Sequence, residues 1–133
     1  MKIEPGASAE LSRTITDADI QVFAELTGDH NPVHLDDDYA RHTRFGRRVA
    51  HGMLSATLIS NVLANELPGP GSVYLSQSLR FVAPVFPGDR VLVRVTVLSV
   101  REDKSIATLE TICLNQRDER VITGEAVVLF ERG

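Results

Sequence analysis

The sequence of 133 residues has one cysteine, no apolar run long enough to cross a bilayer, and no marked excess of either charge. With Cys113 alone, an intramolecular disulfide framework and a cysteine-based zinc site are excluded. The longest apolar region, residues 53–67, is broken by Ser55, Thr57, Ser60, Asn61, Asn65 and Glu66. It falls short of the ~20 apolar residues that a bilayer span needs. The opening MKIEPGASAE lacks the apolar core of a signal peptide. Lys and Arg number 14 against 18 Asp and Glu, a formal net charge of −4. That argues against a protein dedicated to coating nucleic acid, while leaving room for a local basic patch. The expectation is therefore a cytoplasmic chain with no membrane or nucleic-acid partner.

Several catalytic and binding signatures are also missing. There is no GxSxG elbow and no P-loop. His30 and His34 flank a proline instead of forming an HExxH frame, so no metal is expected. Asp36, Asp37 and Asp38 lack the glycine and terminal glutamate of an EF-hand loop.

What is present suits a globular chain. It is 43% hydrophobic and 24% charged, and its length predicts one domain over residues 1–133. A chain of this size buries roughly two thirds of its unfolded surface, enough for a core without disulfides or a structural metal. The first half reads as largely helical and the second as strands. Residues 9–15 suit a short opening strand. Thr16 and Asp19 form a weak capping box before a helix over 17–27, which Gly28 ends. Residues 29–36 are too polar and interrupted to be regular, and a helical turn follows over 37–42. Residues 44–48 form an exposed loop. A second helix, from Gly52 to about Glu66, is apolar almost all round and is therefore buried. Four strands follow, over 72–82, 90–101, 104–116 and 119–131, joined by short turns that suit antiparallel pairing. The predicted fold is α+β, a curved antiparallel sheet around one long helix.

Two stretches carry candidate chemistry. Asp29 and His34 lie five positions apart in DHNPVHLD. Fully extended, that is roughly 17 Å, but Gly28 and Pro32 favour a bent path. A carboxylate beside an imidazole is an acid/base unit suited to neutral pH. Alternatively, Asp29 caps the next turn and His34 packs in the loop. Asn31 either orients a neighbour or braces the loop. The second candidate is His51-Gly52-Met53 at the start of the buried helix, where Gly52 leaves backbone N–H groups open to an incoming carbonyl oxygen, or simply lets the helix pack closely. Ser60, two turns on, faces a substrate or bonds its own helix. Arg44, Arg47 and Arg48 form a solvated rim or meet phosphates. Cys113 falls inside a strand and reads as a core residue.

Residues 23–40, FAELTGDHNPVHLDDDYA, closely resemble the signature of the (R)-specific enoyl-CoA hydratases, the MaoC-like dehydratase group of the hot-dog fold. The match is G-D-x-N-P-V-H with an aromatic upstream and D-x-x-Y-A downstream. AHGMLSATLIS (50–60) and SLRFVAPVFPGD (78–89) are similar to later segments of the family, in the expected order. The resemblance runs over essentially the whole chain.

It implies a single hot-dog domain and reversible hydration of trans-2-enoyl-CoA to (R)-3-hydroxyacyl-CoA. It places the catalytic aspartate on Asp29, the histidine on His34 and the thioester-polarising glycine on Gly52. Asn31 and Ser60 take supporting positions. CoA is part of the substrate, and no separate cofactor is needed. A homodimer is implied, with Arg44, Arg47 or Arg48 near the CoA phosphates. An acyl pocket along the buried helix makes Leu58, Val62 and Leu63 candidates for controlling chain length. The same chemistry on an acyl carrier protein thioester, a hot-dog thioesterase and a non-catalytic acyl-CoA-binding module are the competing readings.

Overall fold

Residues 2–132 are described by a computed structural model. The chain runs β1 (Ser8–Thr14), α1 (Asp17–Thr27), α2 (Pro32–Leu35), α3 (Asp37–Arg41), α4 (Gly52–Asn65), β2 (Val73–Gln77), β3 (Arg80–Phe81), β4 (Arg90–Arg101), β5 (Ile106–Leu114) and β6 (Arg120–Leu129). The strands form one six-stranded antiparallel sheet in the order β1-β4-β5-β6-β2, with β3 also paired to β6. Helix α4 packs mainly on β4 and also touches β1 and β5.

Local chemistry sets each boundary near the site. The Thr16 hydroxyl accepts the Asp19 N–H, and the Asp19 carboxylate accepts the Thr16 N–H, so the capping box at the start of α1 is complete. Gly28 ends α1 at φ +78°, a left-handed conformation that a side chain disfavours. In β4, Val91, Val93, Val95 and Val97 all point into the core, since alternate residues share one face. They meet Ile59 and Val62 of α4, both fully buried, together with Leu109 and Val121. Among the described residues no helix is long and apolar enough to cross a membrane.

Three sequence expectations change. Residues 29–36 are not wholly irregular, because Asn31 caps α2 by accepting the Val33 N–H and Pro32 occupies its first position. Residues 72–82 are two strands, not one. The chain leaves the ladder at Ser78, whose carbonyl oxygen lies against Gly124 of β6, within 1.9 Å of where a Cβ would sit. The last two strands are shorter than expected at both ends, because residues 102–105 and 115–118 form turns. Cys113 is fully buried opposite Val93, and burial pushes its thiol pKa up to about 12. It is a core residue.

Candidate active site

The left-handed turn at Gly28 throws the chain off α1 into the polar loop, and α2 swings it back. This brings residues five positions apart to the same place. A carboxylate oxygen of Asp29, a ring nitrogen of His34 and a ring nitrogen of His51 all lie within 4.8 Å of one another. The Asp29 carboxylate accepts the Asn31 N–H at 3.3 Å, and the Thr27 hydroxyl accepts the Asp29 N–H at 3.2 Å.

His34 donates from Nδ1 to the Val49 carbonyl at 2.7 Å. A carbonyl only accepts, so Nδ1 carries the proton and Nε2 is left as an acceptor. Burial lowers the His34 pKa below its ordinary 6.5, with the Val49 hydrogen bond opposing that shift. The ring is therefore neutral near pH 7 and able to take a proton.

Residues 49–52 hold the other half of the site. The Val49 N–H donates to the Val33 carbonyl at 3.2 Å, and the Ala50 N–H donates to the Val85 carbonyl at 2.7 Å. His51 precedes α4 but makes no side-chain cap. Thr16, Asn31 and Asp36 cap α1, α2 and α3 with their side chains. Among the described residues, α4 alone of the four helices starts without a side-chain cap, at Gly52, and the Leu54 N–H turns back to the His51 carbonyl at 3.1 Å. A Cβ on Gly52 would stand 2.7 Å from the Phe81 ring. The missing side chain makes room for the Phe81 ring against this helix end.

A cavity of about 540 Å³ runs from this point. Its walls include Asn31, His34, Gly52, Met53, Phe81 and Val82. Ser55, which the sequence reading did not single out, also lines it. The Ser55 hydroxyl is buried without a protein partner. It lies three residues after Gly52, a spacing that shares a helix face, and that was the available signal.

Several expected site residues lie elsewhere. Ser60 does not line the cavity of His34 and Gly52. It sits eight positions beyond Gly52, roughly 12 Å along the axis, on a smaller cavity of about 110 Å³ with Leu63, Ser72, Tyr74 and Val128. Val62 is fully buried in the core, and Leu58 is half-buried against it. Neither lines these two cavities, because the larger one opens past the first turn of α4 toward residues 81–85. Arg48 is not available to phosphates. It binds Asp17 at 2.6 Å and Asp37 at 2.7 Å, and donates to the His34 carbonyl at 3.3 Å. The guanidinium of Arg47 lies 3.8 Å over the Phe86 ring. Arg44 has no hydrogen bond or ion pair among the described residues.

Residues 2–118 match the family described as MaoC like domain. The chain belongs to this family. It is 49% identical over 126 residues to an (R)-specific enoyl-CoA hydratase of Aeromonas caviae, covering 95% of this chain and 94% of that one. It is 47% identical over 126 residues to a 3-hydroxybutyryl-CoA dehydratase of Methylorubrum extorquens, covering 95% of this chain and 80% of that one. The solved structure of an (R)-hydratase from A. caviae involved in PHA biosynthesis matches with a TM-score of 0.95 at 48% identity, over 98% of both chains. The six-stranded sheet and α4 are thus the hot-dog fold of a MaoC-like protein.

Proposed function

We propose that this MaoC-like chain is a hydro-lyase that reversibly hydrates trans-2-enoyl-CoA to (R)-3-hydroxyacyl-CoA. The observation that carries the reading is an Asp29 carboxylate oxygen within 4.8 Å of a His34 ring nitrogen, with His34 and the uncapped start of α4 lining one largely apolar cavity. The neutral His34 and the Asp29 carboxylate hold a water and take its proton as its oxygen bonds to the β carbon. The electron pair of the double bond moves onto the thioester carbonyl. The resulting enolate oxygen is stabilised by the N–H at Gly52, an effect of about 10²–10³-fold in such sites. The pair then returns a proton to the α carbon, so the net change is the addition of one water. The proton inventory belongs to the pair, not to either residue. No cofactor enters this scheme, and CoA is part of the substrate.

The same reading pairs the chain with a second copy. Strand β2 has only β6 as a neighbour, and Val73, Tyr74 and Leu75 are exposed on it. An apolar edge of this kind calls for cover. Arg44 remains a candidate for CoA phosphates. A cytoplasmic location accords with a CoA thioester substrate.

The test is purified protein with crotonyl-CoA, following the enoyl-thioester absorbance. The expected result is rapid loss that stops at an equilibrium, with no thiol released. Asp29→Asn and His34→Ala each lower kcat by about 10²–10⁴-fold while the protein stays folded. A folded His34→Ala enzyme at near wild-type rate would overturn the role given to His34. Thiol release would make the protein a thioesterase. Turnover of acyl carrier protein thioesters but not CoA thioesters would change the carrier.

A further inference from the structure

His51 is 2% exposed and touches both members of the reacting pair. Its Nε2 donates to the main-chain carbonyl of Asp29 at 3.1 Å. Its ring stacks on His34 with centroids 3.9 Å apart and planes 30° apart. On another side Phe23 holds it at 4.8 Å. The remaining ring nitrogen, Nδ1, is buried with no partner among the described residues.

We infer that His51 is the positioning residue of the site, fixing the Asp29 loop through its Nε2–H and the His34 ring by stacking. The inference rests on the reading above of Asp29 and His34 as the reacting pair.

The argument is one of connectivity. The Asp29 loop hangs from the end of α1 on contacts to its own neighbours, Thr27 and Asn31. Those contacts shape the loop but do not tie it to the helix that carries Gly52. The bond from His51 does, across 22 positions of sequence. His34 is held from the same short segment, by the Val49 carbonyl. Through Val49 and His51, a stretch of three residues sets both reacting side chains relative to the adjoining Gly52.

The ring nitrogens have distinct roles. The Asp29 carbonyl only accepts, so Nε2 carries a proton. A hydrogen on the buried Nδ1 would have nothing among the described residues to receive it. His51 therefore acts through Asp29 and His34 and takes no proton from substrate.

Three measurements test this. His51→Phe keeps a flat ring against His34 and Phe23 but removes the donor. His51→Gln places an amide N–H near the position of Nε2. In His51→Phe, kcat with crotonyl-CoA should fall about 10²-fold, the scale of a small misplacement, with KM changed by less than about twofold. His51→Gln should recover at least about tenfold of that loss. A wild-type kcat in folded His51→Phe overturns the inference, as does a folded His51→Gln no better than His51→Phe. The third measurement needs no variant and no activity. Nitrogen NMR of ¹⁵N-histidine-labelled wild type should show the His51 Nε2 carrying a hydrogen. A ring with its hydrogen on Nδ1 and none on Nε2 overturns the inference even if neither variant folds. Failure of the wild type to hydrate any thioester would instead overturn the proposed activity, leaving the NMR result to stand separately.

Discussion

At Asp29 the carboxylate and the backbone carbonyl have different jobs. The first faces His34, and the second anchors the loop to His51. Aspartate with two histidines is also a competent ligand set for zinc, so metal dependence deserves a direct check. The expected outcome is that prolonged EDTA treatment leaves kcat unchanged. Loss of activity restored by Zn²⁺ would assign a metal centre. His34 also links the site to pH. Its pKa is lowered by burial, so below about pH 6.5 the unfolded chain binds a proton before the folded one does. Its contribution to stability is thus present above that value and is lost as pH falls through the folded pKa. Urea midpoints should drop between about pH 7.5 and about pH 5.5, and His34→Gln should show a shallower slope. The loop residues Asp29, Asn31 and His34 were legible because the motif is local. His51 stood out only as part of the segment with Gly52, and Ser55 not at all, since their importance lies in contacts and vacancies that only the packed chain creates. Arg48 read as a surface cation because its partners lie 11 and 31 positions away.

Two elements start or bend at glycines with opposite consequences. Gly52 opens α4, and a methyl there meets the half-exposed Phe81 ring, which can move. Gly124 lies in β6 against the Ser78 carbonyl, which is backbone and cannot yield without moving the β2–β3 bend. Gly124→Ala should therefore cost about 1–3 kcal/mol of stability by urea unfolding. Gly52→Ala should stay near wild-type stability but lose kcat as the helix end fills. Helix α1 was readable because Thr16 and Asp19 signal its start and Gly28 its end. The split between β2 and β3 was not, because Ser78 and Leu79 sit between two apolar stretches and only Gly124, across the sheet, explains the bend.

Across the whole molecule the two sheet edges differ. Strand β1 carries Ser8, Ser12, Arg13 and Thr14 as exposed residues, whereas β2 exposes Val73, Tyr74 and Leu75. Polar side chains discourage edge pairing, and apolar ones leave it open. Sedimentation at micromolar concentration should give a dimer, and Leu75→Lys should shift it toward monomer. A stable wild-type monomer would remove the second copy from the reading. The fold as a whole was legible from its order of one buried helix and then strands. The placement of Ser60 and Val62 was not, because a helix buried nearly all round gives no sign of which face meets a cavity.

The short segment 49–52 has a consequence for how activity appears in time. Its contacts to Asp29 and His34 close chain separations of 22 and 15 positions. Such loops are closed at an entropic cost before their contacts repay it. The reacting groups come together only when α1, the loop and α4 dock. A refolding chain therefore becomes a catalyst no earlier than the closing of this junction.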